Sequence, residues 1–299
     1  MLRLFTRALS MRGTARLVAF VVALPVAASA QEPPPASSTT PAPAQPAPAQ
    51  PAPERNDPDV LVDPLQPDFN LGALPTTLRM PPGKWAFRVT HRFTRDLGEG
   101  DVGDLFSNLF GLDGGSQVGL EVRYGLLPGT QIGIHRTSDR AIELFAQHNF
   151  MNERDGGAFG FDAIATLEGD DNLREHYQGA LGIALSKNLG RRAALYAEPM
   201  VVLNASPFAS GDEHTAMIGL GARVRVRPSM YLMAEYAPRV AGYTGFSDHI
   251  SFAFETRAGG HLFQINVSNG WGTTLGQVAR GGIDYDQWYL GFNLARKFF

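Results

Sequence analysis

The run Trp85-Ala86-Phe87-Arg88-Val89-Thr90-His91-Arg92-Phe93-Thr94 decides the fold. Trp85, Phe87, Val89, His91 and Phe93 occupy one set of alternate positions, and Arg88, Thr90, Arg92 and Thr94 the other. A β-strand turns successive side chains to opposite faces, so this segment carries one face suited to lipid and one suited to water.

The same division recurs down the chain. Val118, Leu120, Val122 and Tyr124 alternate with Glu121 and Arg123, and Phe159, Phe161, Ala163 and Leu167 share a parity opposite to Asp162 and Glu168. Ala216, Ile218, Leu220, Ala222, Val224 and Val226 oppose Gly219, Gly221, Arg223 and Arg225, and Ile250, Phe252 and Phe254 oppose Glu255 and Arg257. Segments at 84–95, 116–127, 130–137, 141–151, 157–168, 175–188, 192–205, 214–227, 229–240, 249–257, 260–268 and 286–299 predict about twelve strands. An even number closes an up-and-down barrel with both ends on one side of the membrane.

Connection lengths support this reading independently. Pro128-Gly129, Asn152 to Gly156, Gly190-Arg191, Pro228-Ser229 and Gly259-Gly260 are short and rich in turn residues. They alternate with the longer stretches Leu97 to Gly115, Gly169 to Arg174, Pro207 to Glu213, Ala241 to Ser247 and Asn269 to Tyr285; only Thr137 to Arg140 is short on that side. Short periplasmic turns alternating with longer outer loops characterise bacterial barrels. The competing architecture is a soluble β-sandwich or lipocalin-like barrel, which would have to enclose all the aromatic faces and expose the charged ones. The expected fold is therefore all-β, a transmembrane antiparallel up-and-down barrel over 84–299.

Upstream of the barrel the composition changes twice. Arg3, Arg7, Arg12 and Arg16 precede an apolar run from Leu17 to Ala27 and the triplet Ala28-Ser29-Ala30, which predicts a secretory signal peptide over 1–30. That apolar run is about half of what a membrane-crossing helix needs. Met11-Arg12 offers an alternative start of ordinary proportions. Residues 31–67 are rich in proline, alanine and glutamine, with Pro41-Ala42-Pro43-Ala44-Gln45 repeated from Pro46 to Gln50. Such a stretch favours extended polyproline II and predicts a disordered periplasmic linker, either a plain tether or a contact to a periplasmic or cell-wall partner. Residues 68–83 are a lead-in to the barrel.

Composition excludes several chemistries. A net charge of −3 carries no nucleic-acid footprint, and the absence of cysteine removes disulfides, thiolate metal sites and an acylated lipoprotein N-terminus. The seven histidines are scattered singly, without the spacing of a metal site. Asp170, Asp171 and Glu175, and Asp284 with Asp286, read as solvated loop acids rather than a divalent-cation site near lipopolysaccharide. No cofactor or catalytic residue is expected.

The water-facing parity supplies the candidate functional residues. Arg88, Arg92, Arg123, Arg223, Arg225 and Arg257 face Glu121, Glu143, Asp162, Glu168, Glu198, Glu235 and Glu255, nearly balanced in sign. In a narrow lumen such charges pair or stay hydrated. They either hold the lumen together or line a conduction path that selects small hydrophilic solutes. In the first outer loop, Leu105, Phe106, Leu109 and Phe110 recur at helical spacing, which predicts a short amphipathic turn that folds in as a constriction or packs on the rim. In the last strand Trp288, Leu290, Phe292 and Leu294 keep one parity, and Arg296 interrupts it before Phe298 and Phe299, by snorkelling or through a bulge.

Two resemblances bear on function. Ser268-Asn269-Gly270 resembles the serine region of outer-membrane phospholipase A, a barrel of similar size. The position of that family's histidine base is occupied by Asn266, which cannot accept the nucleophile's proton, so the hydrolase reading loses its base. His91-Arg92-Phe93, Gly111-Leu112-Asp113-Gly114 and Arg123-Tyr124-Gly125 resemble an uncharacterised family of bacterial outer-membrane β-barrels. That likeness covers most of the barrel and implies fold and location without a substrate. The sequence thus predicts an exported outer-membrane barrel in contact with lipid, a narrow pore or alternatively a structural or partner-binding barrel. Extracted without boiling, the protein is expected to migrate faster on a detergent gel than after boiling; unchanged migration would contradict a closed barrel.

Overall fold

The computed structural model describes residues 58–112, 114–206 and 214–299. The predicted signal peptide, the linker up to residue 57, Asp113 and the loop from Pro207 to Glu213 lie outside the described residues. Thirteen strand segments follow one another: β1 (Trp85–Asp96), β2 (Ser116–Leu127), β3 (Thr130–Thr137), β4 (Ile142–Met151), β5 (Gly160–Gly169), β6 (Glu175–Leu189), β7 (Ala193–Leu203), β8 (Thr215–Arg227), β9 (Met230–Ala237), β10 (Arg239–Gly242), β11 (His249–Ala258), β12 (His261–Ser268) and β13 (Tyr289–Phe298). Each pairs antiparallel with its neighbours, and β13 returns to β1 with Trp85 opposite Phe298 and Arg92 opposite Gly291. β9 and β10 form one stave broken at Pro238, which has no N–H to donate; its carbonyl still accepts from the Ile218 N–H at 3.0 Å. The result is a closed barrel of twelve staves, as the alternation predicts.

The turns behave as their residues require. Gly259 and Gly260 both adopt left-handed φ, 56° and 78°, and make a two-residue hairpin between β11 and β12. β5 begins at Gly160 rather than 157 because Asn152 caps a 3₁₀ turn over Glu153–Asp155 that uses the preceding residues. β13 begins at Tyr289 rather than 286, where the Asp96 carboxylate takes the Trp288 N–H at 2.9 Å.

The radial order of polarity is inverted relative to a soluble protein. Leu120, Val122, Leu144, Leu220, Phe252 and Ile265 are exposed on the outer face, whereas Arg92, Arg223, Glu198 and Glu255 are buried inside. Lipid satisfies the first set, and the second needs hydrogen bonds within the lumen. The outer face carries aromatic stacks: Trp85 lies 3.8 Å from Phe298 and His91 4.8 Å from Phe292, ring centre to ring centre.

The last strand resolves the phase at Arg296. Register with β1 is regular from Phe298 to Gly291, so no bulge occurs there and Arg296 keeps the outward parity. Its guanidinium lies 4.9 Å over the Phe298 ring and donates to His261 Nε2 at 2.9 Å, the geometry of a cation snorkelling at a strand end. Phe299 turns the other way and packs beside Val62, Phe69, Leu78, Met80 and Ala86. The register shift of β1 against β13 falls instead at the opposite end, between Arg92 and Asp96.

Inside the wall, Gly133 on β3 lies opposite Arg123 on β2 and Phe145 on β4. Because Gly133 has no side chain, the Phe145 ring crosses over it to within 4.4 Å of the Arg123 guanidinium, and a Cβ there would collide with that ring. Gly133→Val is therefore expected to destabilise the barrel by about 1–3 kcal/mol, read as a lower temperature for loss of the fast-migrating form; an unchanged transition would contradict this packing.

Candidate functional site

The lumen is occupied by the chain's own segment ahead of β1. Residues 62–80 run into the barrel and back, with Val62, Leu65, Phe69, Leu71, Ala73, Leu74, Leu78 and Met80 all buried. The ascending limb is tied to the end of the barrel where the short turns lie. Tyr231 Oη donates to the Pro64 carbonyl at 2.9 Å, Lys297 Nζ to the Pro67 carbonyl at 2.8 Å and Asn188 Nδ2 to Asp63 at 3.0 Å. The descending limb is held by Gln147 on the Thr76 carbonyl at 2.7 Å, by Ser186 Oγ 2.5 Å from Thr77 Oγ1, and by Gln131 on the Leu78 carbonyl at 3.2 Å.

The tip is a reverse turn at mid-lumen. Asn70 bridges to Pro75 and the Leu71 N–H donates to the Leu74 carbonyl at 2.8 Å, leaving the N–H groups of Gly72, Ala73 and Leu74 pointing one way. All three donate to the Glu235 carboxylate, at 2.9, 3.0 and 3.2 Å, while His249 Nε2 lies 3.0 Å from its other side. Successive backbone N–H groups that converge in this way form an anion nest. Glycine is needed at 72 because a Cβ would collide with the Glu235 carboxylate. The carbonyls at the tip point to donors: Arg88 and Asn293 to Gly72, Gln264 to Leu71 at 3.0 Å, and Arg223 to Asn70 at 3.0 Å.

The residues singled out by parity all lie on the inner wall, and all but Arg225 and Arg257 are buried. Glu121 accepts from Arg123 at 2.9 Å and lies 3.6 Å from Arg88. Arg223 and Glu255 form a two-point ion pair at 2.7 and 2.9 Å, shared with Gln264. Arg123 is clamped between the Phe69 and Phe145 rings and reaches Asn70 Oδ1 at 3.0 Å, whereas Arg92 turns to Asn293 Oδ1 at 2.8 Å. Asp162 accepts from Gln147 and Asn149. Arg225 folds back on the Pro228 carbonyl, and Arg257 donates to the Asp59 carbonyl at 3.3 Å. Among the residues singled out by parity, arginine–carboxylate pairs fall in two clusters, Glu121 with Arg88 and Arg123 and Glu255 with Arg223, while Arg88, Arg123, Arg223, Arg257 and Glu235 all bond to the inserted segment.

Glu143, Glu168 and Glu198 have a different neighbour. The last long loop sends a helix, Leu275–Arg280, into the barrel with residues 275–279 buried. Glu143 accepts the Leu275 N–H at 2.8 Å, and the Glu168 carboxylate and the Gln178 amide face Gly276. Glu198 lies deeper, beside Gly219 and the hairpin's Leu74, and neither of its oxygens makes a hydrogen bond. Leu275, Val278 and Ala279 join Leu71 and Leu74 in one apolar cluster against Ala180, Tyr196, Met200 and Met217. A cavity of about 20 Å³ remains where the hairpin and this loop meet, lined among others by Asn70, Glu143 and Leu275, room for a single water.

The loop acids are engaged locally: Asp170 lies 3.2 Å from His176 and 3.3 Å from Arg280, and Asp171 pairs with Arg140. Ser268 is buried, and its hydroxyl donates to the Gly270 carbonyl at 2.6 Å. Parity reasoning missed the hairpin and the inward helix. The available signal was the motif Asn70-Leu71-Gly72-Ala73-Leu74-Pro75, a turn sequence with apolar residues ahead of the first strand.

The family model described as "Membrane bound beta barrel domain (DUF5777)" matches residues 68–298, from within the hairpin to the last strand. No curated protein matches the chain. Among solved structures, the NanC porin is similar at 7% identity and a TM-score of 0.47 over 72% of this chain and 99% of that one. The Acinetobacter baumannii outer membrane protein Omp33 is similar at 9% identity and a TM-score of 0.42 over 72% and 98%.

Glu235 gathers three backbone donors at the tip, and hydrogen bonds to a charged group contribute about 1.5–3 kcal/mol each. In Glu235→Ala the amides of Gly72, Ala73 and Leu74 are expected to exchange with deuterium more than about tenfold faster than in the parent, since about 1.4 kcal/mol corresponds to a factor of ten. Unchanged protection would mean that the apolar cluster alone holds the tip.

Proposed function

The chain belongs to the family of membrane-bound β-barrel domains, and from that premise we propose that it is an outer-membrane channel for small hydrophilic solutes, closed by its own N-terminal hairpin. The observation that carries this reading is the destination of the wall's charged groups. Arg88, Arg223, Arg257 and Glu235 end on backbone carbonyls and N–H groups of residues 59–74, and Arg123 reaches the Asn70 side chain. Water can take the place of each backbone partner, so withdrawal of the hairpin would hydrate the half of the lumen next to the short turns, and a continuous passage would need the helix Leu275–Arg280 to leave the other half as well. Arg88, Arg92, Arg123, Arg223, Arg225 and Arg257 against Glu121, Glu143, Asp162, Glu168, Glu198, Glu235 and Glu255 would then be its selecting wall.

In this reading residues 1–30 direct export and are removed. Residues 31–57 of the proline-rich stretch precede the inserted segment in the chain, and its last residues, 62–67, belong to that segment. A periplasmic or cell-wall partner that grips residues 31–57 would therefore load the hairpin at Pro58.

The absence of native cysteine makes the test clean. Thr77 Oγ1 on the hairpin and Ser186 Oγ on β6 are 2.5 Å apart, close enough for a disulfide of about 2.05 Å after substitution of both. Thr77→Cys/Ser186→Cys is expected to be silent in a planar bilayer when oxidised and to show channel steps like the parent when reduced. A chain lacking both residues 58–83 and the helix Leu275–Arg280 should conduct continuously. Equal conductance of the oxidised and reduced pair would remove the hairpin as the gate. No conductance from any form, the shortened chain included, would favour the alternative of a structural or partner-binding barrel.

A further inference from the structure

The loop between β1 and β2 goes neither into the lumen nor over its mouth. On β1, Arg88, Thr90 and Arg92 face inward, whereas His91 and Phe93 face outward with their rings tilted by 52° and 4.5 Å apart between centres. Phe93 also approaches the lipid-facing Phe292 at 6.3 Å. The loop's turn at Gly111, with φ of 98°, lies on this outer side: a Cβ there would stand 3.3 Å from Phe93 Cβ and 3.2 Å from Arg95 Cβ. Arg95 fixes the arrangement by donating to the Asp104 carbonyl at 3.1 Å and the Glu99 carbonyl at 3.0 Å. The loop is therefore pinned against the outer wall near the end of β1.

What it displays there is apolar. The helix Val102–Ser107, closed at its start by a reciprocal Asp101/Asp104 capping box, leaves Val102 71% and Phe106 61% exposed. Leu109 and Leu112 in the following turn are more than half exposed as well. Phe106 and Phe110 meet edge to face at 5.0 Å, which stiffens the patch without covering it. Its level is set by Trp288, whose carbonyl accepts the Leu97 N–H at 2.7 Å, so the turn against Phe93 and Arg95 lies on the barrel side of the Trp288 backbone. Trp is enriched where membrane meets water.

We propose that residues 102–112 form an interfacial foot that inserts Val102, Phe106, Leu109 and Leu112 into the outer leaflet beside β1, with acyl chains as the partner. Four large apolar side chains, held rigid on the outer wall and continuous with the lipid-facing surface through Phe93, His91 and Phe292, match a lipid partner, and the polar caps Asp101 and Asp104 serve the helix start. The amphipathic turn expected from the sequence is present; its direction is outward.

The chain's lack of cysteine permits single spin labels. Phe106→Cys and Leu109→Cys are to be labelled in the full chain in phosphatidylethanolamine/phosphatidylglycerol vesicles, with Phe292→Cys as the lipid-facing reference and the exposed Asp284→Cys as the aqueous one. The 106 and 109 labels should collide preferentially with oxygen over a nickel chelate, as the 292 label does, and the 284 label should show the reverse. If 106 and 109 behave like 284 while 292 remains lipid-like, the foot is overturned and the barrel stands. Heat-modifiable migration of each labelled variant confirms that the comparison is made on folded protein.

Discussion

Everything in this molecule follows from the requirement that a backbone in lipid satisfy its own polar groups. A closed antiparallel ladder does so, and closure at β1 and β13 leaves no open edge among the twelve staves. Closure also divides side chains into an outer set that lipid solvates and an inner set that lipid cannot reach. The inner set then poses its own problem. Arg88, Arg92, Arg123, Arg223, Glu121, Glu235 and Glu255 are buried, and an isolated buried charge costs several kcal/mol. Two ion-pair clusters meet only part of that need. The hairpin meets much of the rest by presenting unpaired carbonyls and N–H groups, which a strand already in the ladder does not have to spare.

The filling of the lumen is divided between two parts of the chain. The hairpin fills the half next to the short turns, and the helix Leu275–Arg280 fills the half next to the long loops; both present leucines to the same cluster of Ala180, Tyr196, Met200 and Met217. The inner wall is correspondingly uneven. Charges concentrate where backbone approaches, and small or flexible apolar side chains where leucines do, on β6, β7 and β8. Glu235 and Gly72 show how tightly the two are matched, since the carboxylate occupies the place a Cβ would take.

The barrel was legible in the sequence because each stave repeats one simple rule of period two, and because turn residues mark the short end of the barrel. The hairpin was not legible by that rule. Its buried residues Val62, Leu65, Phe69, Leu71 and Leu74 follow no helical or strand period, and its partners, such as Glu235 and Gln264, lie more than a hundred residues away. Parity could place Glu235 on the water-facing side, but could not say that a backbone rather than water or an arginine would meet it. Arg296 shows the same limit from the other direction. Its break in hydropathy is real, yet the backbone register is regular, because a long cation at a strand end can reach the interface without any change of phase.

These two kinds of bonding differ in what can replace them. A ladder hydrogen bond of the wall, once broken, exposes its groups to lipid, which offers no substitute, so the staves cannot separate locally. A hydrogen bond between the wall and the hairpin, once broken, leaves both groups in a polar lumen, where water takes each vacant place at a net loss of about 1.5–3 kcal/mol for a charged wall group. The apolar contacts of Leu71 and Leu74 add a further hold. The bonds that water can replace therefore reside in the inserted segment, and those that it cannot in the ladder. The element that fills the short-turn half of the lumen is thus the one whose attachments water can exchange, whereas the ladder around it has no such substitute.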